Sequence, residues 1–279
     1  MELGLFVEPQ MGGSYGRLVE LAKWAEAKGL AAFARSDHYL AGDSSFPTTD
    51  ALVSYGGLAV ETDQIRLVTL VSPITFRHPG VMAKSASTID EMSGGRFTLG
   101  VGTGWMESEH DAFGLRLPPL AERFDRLGEA LSFIRTSLAG GGTVDGEHYQ
   151  LQPVDIAPRA SAGFRIVVGG GGPRKTPRLA GTYADEYNMF ATDPDTFAAR
   201  LQVMRDAAER AGRDADSILV SFAGPGLVYA SEGEHQVALA ERGARRDLSA
   251  EGYAAFLDER LIPHGTKEQA GEAIARLES

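Results

Sequence analysis

An aspartate followed directly by a histidine and a tyrosine, Asp37-His38-Tyr39, stands at the end of a short apolar run. A carboxylate beside an imidazole, whose ordinary pKa is near ~6.5, suits proton transfer at neutral pH, and His38 with Asp37 is the first candidate acid/base pair. The plainer reading is that the pair caps the segment after it. Gly169-Gly170-Gly171-Gly172-Pro173-Arg174-Lys175-Thr176 points to phosphate: four glycines expose backbone donors just before an expected helix N-terminus, with two cations adjacent. In Gly100-Val101-Gly102-Thr103-Gly104-Trp105 the glycines let backbone amides approach a ligand and Thr103 offers a hydroxyl; a tight packing turn explains them equally well. A dinucleotide fingerprint is disfavoured, because no acidic ribose partner follows about 20 residues on.

Trp105-Met106-Glu107-Ser108-Glu109-His110 holds two carboxylates and an imidazole, but the spacing is not that of a zinc motif. His78, His148, His235 and His264 show no ligand spacing to it, so no metal is expected. Trp105 and Glu109 are read as lining a substrate pocket, at a polar rim or a helix start. Glu122 and Arg123 are read as structural, Glu122 complementing a helix dipole.

Short β-type runs alternate with longer amphipathic ones, the pattern of a parallel sheet covered by helices. Expected strands are Leu3 to Val7, Ala31 to Arg35, Ile65 to Val71, Phe97 to Val101, Arg165 to Val168, Asp185 to Phe190 and a seventh opening at Ile218 to Val220. Helices are expected between them, among them Asp50 to Glu61, Pro79 to Met92 and Pro173 to Tyr183. Phe124, Leu127, Leu131, Ile134 and Leu138 mark one face of the fourth long helix. Thr143 to Tyr149, with Asp145-Gly146 at its turn, reads as a small hairpin inserted after that helix.

Beyond Ser231 helices are expected at Glu234 to Asp247, Ala250 to Ile262 and Lys267 to Leu277, with no further β-branched run. The expectation is an α/β chain of the (β/α)8 TIM-barrel class, one domain over residues 1–279, with no eighth strand evident. Either the chain is cut short, or another segment closes the barrel.

At 279 residues with 43% hydrophobic and 23% charged side chains, composition is that of an ordinary globular protein. A net charge of −11 argues against nucleic acid and anionic lipid as partners. Absence of cysteine removes disulfides and thiolate chemistry and suits a reducing cytoplasm. No basic region precedes the first apolar run, and no apolar stretch nears the ~20 residues of a membrane span, so a cytoplasmic protein is expected.

Taken in order, Asp37-His38-Tyr39, Ser72-Pro73-Ile74-Thr75-Phe76-Arg77-His78-Pro79-Gly80, Ser93-Gly94-Gly95-Arg96, Gly100 to Trp105, Leu120-Ala121-Glu122-Arg123-Phe124, Gly169 to Pro173 and Ala184-Asp185-Glu186-Tyr187-Asn188 resemble the luciferase-like monooxygenase superfamily. The Asp-His-Tyr and four-glycine forms look like its deazaflavin (F420)-dependent branch. The resemblance implies a barrel that binds F420, or alternatively FMN, at its strand ends, commonly as a homodimer. It implies hydride transfer between the deazaflavin C5 and a small organic substrate, with His38 exchanging a proton. It further implies a cis peptide at Leu70-Val71 behind the ring, Thr103 and Gly104 lining the cofactor site, and Gly169, Gly170, Gly171 and Gly172 at its phosphate.

Sugar-phosphate dehydrogenases of the family carry a glutamate directly after the Gly-Thr-Gly motif; Trp105 stands there here, so that activity is not expected. Competing readings are an FMN monooxygenase using molecular oxygen and a non-catalytic flavin-binding protein. A phosphate-binding aldolase or isomerase would need a strand-end lysine, and Lys84 and Lys175 both fall on expected helices.

Overall fold

The structure, a computed structural model, describes residues 1–40 and 47–276. Its strands are β1 (Gly4–Val7), β2 (Ala32–Arg35), β3 (Arg66–Thr69), β4 (Ser72–Pro73), β5 (Phe97–Gly102), β6 (Gly142–Asp145), β7 (Gln150–Val154), β8 (Arg165–Gly169), β9 (Glu186–Phe190), β10 (Leu219–Ala223), β11 (Leu227–Tyr229) and β12 (His264–Thr266). Its helices are α1 (Tyr15–Ala27), α2 (Ala51–Glu61), α3 (Pro79–Met92), α4 (Glu107–Ala112), α5 (Leu120–Leu138), α6 (Lys175–Tyr183), α7 (Pro194–Arg210), α8 (Glu232–Ala244), α9 (Ala250–Glu259) and α10 (Lys267–Arg276). Leu277, where the last helix was expected to end, lies outside the described residues. No described helix is long and apolar enough to cross a membrane.

The chain packs as two compact units, the larger comprising Glu2–Tyr187 and Met204–Leu219. In the larger unit the main sheet runs β1-β2-β3-β5-β8 in parallel, with β4 also paired to β5. It continues through Asp185, whose amide donates to the Ile166 carbonyl, and Leu219, whose amide donates to the Asp185 carbonyl. Strands covered on both faces are mostly apolar, and β2 and β5, buried at every position, are so apart from Arg35 and Thr98. The register pairs Leu5 with Phe33, Phe33 with Leu67, Leu67 with Phe97 and Leu99 with Ile166. Of these, Phe33, Leu67, Phe97, Leu99 and Ile166 are buried and form the core together with Tyr55, Leu131, Phe133 and Ile134 from the covering helices.

The helices start where short polar side chains can cap them: Ser14 accepts from the Arg17 amide, and Asp50 from the Val53 amide. Pro79 occupies the first turn of α3. Two motifs of the sequence turn out to be ties between elements. All five N–H groups of Arg96 are donated, to the carbonyls of Ala59, Thr62, Ile65 and Ser93 and to the Thr62 hydroxyl, which locks the ends of α2 and α3 together. Asp185 accepts from the Ile166 amide and from Arg135. β6 and β7 form the expected antiparallel hairpin, whose turn amides donate to Glu129 on α5.

The smaller unit comprises Met1, Asn188–Val203 and Val220–Ser279. Beyond Ser231, where no β-branched run was evident, the chain forms β12, which pairs in parallel with β11 as a two-stranded sheet, Leu227 opposite His264 and Tyr229 opposite Thr266. Three-residue strands leave no period to detect, and Gly265, at φ 119° within β12, is a poor strand former by propensity. Leu227, Leu239, Tyr253, Leu257 and Ile262 form the core of this unit.

Candidate active site

The chain leaving β2 delivers two polar side chains to two different places. Successive residues of an extended chain point to opposite sides. Asp37 turns into the protein, 1% exposed, accepting from the Ser72 hydroxyl at 2.7 Å and from Arg77 Nη1 at 2.6 Å. Arg77 also donates to Asp50, which caps α2 and accepts from the Tyr39 hydroxyl at 3.0 Å. Burial works against the charges of this cluster, but mutual attraction outweighs it: Arg77 is held above and Asp50 below its ordinary range. Burial, with the nearby carboxylates, pushes the Tyr39 hydroxyl up, so it stays a neutral donor. Tyr39 stacks on Phe76, ring centroids 4.4 Å apart, which ties the loop after β2 to the loop after β4.

His38 faces the other way. Its Nδ1 lies 2.9 Å from Oε1 of Glu109, whose Oε2 accepts from the Tyr39 amide at 3.0 Å. Of the two readings of this segment, a polar rim or a helix start, the position of Glu109 matches the second: it is fully enclosed in the first turn of the short helix α4. A carboxylate that accepts at Nδ1 fixes the proton there, leaving Nε2 of neutral His38 as the basic nitrogen. Trp105 is 67% exposed and meets the His38 ring edge-on at 5.6 Å. Asp37 and His38, paired by sequence, have separate partners, Arg77 and Glu109.

The Leu70–Val71 peptide is cis, the bond the family resemblance implies. The strand glycines are explained by close contact with Thr69 and Val71. A Cβ at Gly102 would come within 2.7 Å of Val71 Cγ2, and one at Gly100 would meet the Thr69 carbonyl and Val71 Cγ1. Thr69 reinforces the contact, its hydroxyl accepting from the Gly100 amide at 2.7 Å and donating to the Gly100 carbonyl at 3.0 Å. The first two glycines of Gly100-Val101-Gly102-Thr103-Gly104 therefore serve close packing. Gly104 has φ 74°, and a Cβ there would press on Thr75 Oγ1 at 2.7 Å, while its carbonyl accepts from Arg123. Thr103 is half-buried at the end of β5.

The four-glycine run leaves β8 at Gly169 and reaches α6. Gly170 has φ 145°, and a Cβ at Gly171 would meet nothing within 4 Å. The residue before the helix, Arg174, gives no side-chain bond to the first-turn amides. An open glycine loop ending at an uncapped N-terminus fits an anionic group, because the orphan amides and the positive end of the helix face it unsatisfied.

Sequence reasoning missed the Ser72–Asp37–Arg77–Asp50–Tyr39 network and the role of Glu109. No local pattern signals them, since the partners come from separate elements and are separated by up to 71 positions. His110 was seen but not placed: its Nδ1 lies 2.7 Å from the Met106 carbonyl and its Nε2 2.8 Å from Thr75 Oγ1, which holds the loop after β4.

The family described as luciferase-like monooxygenase matches residues 1–279. The chain belongs to that family. A relative from Microbacterium testaceum, an F420-dependent glucose-6-phosphate dehydrogenase, is 36% identical over 173 residues, 61% of this chain and 51% of the relative. A pyrimidine monooxygenase RutA from Allorhizobium ampelinum is 34% identical over 172 residues, 59% of this chain and 46% of that protein. This luciferase-like chain thus spans about half the length of the curated relatives it matches. The solved coenzyme F420-dependent tetrahydromethanopterin reductase from Methanopyrus kandleri superposes with a TM-score of 0.78 at 21% identity, covering 99% of this chain and 89% of that one. That likeness shows the fold, the α/β barrel class that the alternation of elements implies.

Proposed function

We propose that this luciferase-like protein is an F420-dependent oxidoreductase acting on a small organic substrate. The observation that carries the reading is the buried Glu109 carboxylate holding His38 at Nδ1, at a strand end beside the open face of Trp105. When bound, F420 supplies two-electron hydride chemistry at its deazaflavin C5. The residues suited to hold it are Leu70 and Val71 behind the ring, Thr103 and Gly104 at its edge, and the Gly169–Gly172 loop at its phosphate.

His38 gives or takes, through Nε2, the proton that accompanies hydride movement at the substrate. Glu109 keeps Nδ1–H in place and offsets the positive charge that develops on the ring when Nε2 is protonated. Asp37 acts one layer deeper: with Arg77 and Ser72 it fixes the backbone from which His38 projects. Trp105, edge-on to the His38 ring, stands on the substrate side. The F420-dependent dehydrogenase relative and the F420-dependent reductase structure support this cofactor. A second reading, an FMN monooxygenase, draws support from the monooxygenase relative.

The test is a turnover screen of protein loaded with F420 or with FMN, against panels of alcohols, carbonyl compounds and activated alkenes, with His38→Ala in parallel. Redox change of F420 with one panel, dependent on His38, is expected. Turnover only with FMN and oxygen would replace the first reading by the second, and activity unchanged in His38→Ala would remove His38 from the mechanism.

A further inference from the structure

A cavity of about 260 Å³ opens on the larger unit beside the hairpin. Among its lining residues are Thr75, Arg77, His78, Arg116, Arg126 and Tyr149, and no carboxylate is among them. Arg77 is balanced by Asp37 and Asp50. Arg116 and Arg126 share one acid: Glu122 takes both Nη groups of Arg116 at 3.0 Å and the Nε and Nη2 of Arg126 at 2.9 and 2.7 Å. Three guanidinium groups and three carboxylates balance overall, but it is the guanidinium groups and not their carboxylate partners that line the cavity.

Three further features point the same way. Residues 74–78 run directly into α3, and Arg116 and Pro118 run into α5, so the wall is built from the segments that enter two helices of 14 and 19 residues. Helix starts carry partial positive charge. His78 Nδ1 accepts from the Gly80 amide at 3.3 Å, which puts the proton of the neutral ring on Nε2 and keeps that nitrogen a donor. Tyr149 packs edge-on against His78 at 5.5 Å, with Arg126 over its ring at 5.6 Å, giving the cavity a firm aromatic side.

We propose that this cavity binds an anionic group, a phosphate or carboxylate, with Arg116 and Arg126 as its main contacts. No residue of the Gly169–Gly172 loop lines it. Arginine suits such a role because its forked donors match the paired oxygens of either anion. The source of the anion is either a free small anion or an acidic substituent of a ligand seated at the strand ends.

The test is a calorimetric titration of the whole protein with inorganic phosphate and with citrate at low salt, on the unmodified chain and on Arg116→Gln, Arg126→Gln and Gly171→Glu. Arg116 is two-thirds exposed, so its variant keeps the fold even if Arg126→Gln does not. One anion should bind the unmodified protein, weaken about tenfold or more in the arginine variants, as loss of a charged hydrogen bond implies, and persist in Gly171→Glu. Binding lost only in Gly171→Glu, equal binding in all four proteins, or no binding of either anion would overturn the proposal. A parallel F420 titration of Arg116→Gln assigns the source: unchanged affinity means a free anion, weakened affinity an acidic arm of the cofactor.

Discussion

A histidine that exchanges protons needs one nitrogen fixed and the other free, and Glu109 fixes His38 by accepting at Nδ1 while it also accepts from the Tyr39 amide. Both carboxylate oxygens are engaged, which makes the role testable with an isosteric change. Glutamine has one acceptor oxygen for two donors, so Glu109→Gln is expected to lower kcat about 10- to 100-fold with KM little changed, the scale of one charged hydrogen bond. His38→Ala should lower kcat on the order of 10²- to 10⁴-fold. A Glu109→Gln protein with unaltered kcat and an unaltered pH profile would show that the carboxylate merely fills space. His38 was legible as a candidate from its place after a strand. Its partner was not, because adjacency in sequence suggested Asp37, whereas alternation of side chains along extended backbone sends neighbours to opposite sides.

At a few positions a glycine lets two elements approach closely. A Cβ at Gly181 on α6 would run into the Met204 carbonyl and lie 2.9 Å from the Ala208 amide of α7. Gly181→Ala is therefore expected to destabilise by about 1–3 kcal/mol, the usual cost of overpacking, read as a lowered midpoint in urea. Gly102→Ala should act locally: pressing on Val71, it is expected to weaken cofactor binding more than it lowers the urea midpoint, and the opposite order would separate that glycine from the site. The βα alternation was readable because Pro79, Gly94, Gly95 and the capping residues punctuate it. β11 and β12 were not, since each is three residues long and its partner lies 37 positions away, a pairing that no local pattern encodes.

Across the whole molecule, buried ionisable groups set the pH range of stability. Asp50 has a folded pKa below its unfolded value, so its contribution is present above the usual carboxylate range, near ~3.9, and is lost as pH falls through the folded value. Asp50→Asn keeps a capping side chain but removes the charge facing Arg77; it should destabilise at neutral pH and flatten the decline of stability below about pH 4. Tyr55, fully buried with its hydroxyl donating to the Val68 carbonyl, is pushed up by burial. A raised folded value contributes stability below the ordinary tyrosine pKa of ~10 that is lost as pH rises above it. Tyr55→Phe should accordingly lose less stability per pH unit above pH 10, measured by denaturant midpoints across pH. No shift of midpoint with pH in the unmodified protein on either limb would contradict both assignments.

The central claim is that the strand-end site of this luciferase-like chain takes F420, with its phosphate on the glycine loop. It is tested most directly by fluorescence titration of the apoprotein with F420 and with FMN, on the unmodified chain and on Gly171→Glu, where the new side chain enters the open space a Cβ would find there. The expected result is tighter binding of F420 than of FMN, lost in Gly171→Glu. Tighter binding of FMN, or F420 binding that survives the glutamate unchanged, would contradict it.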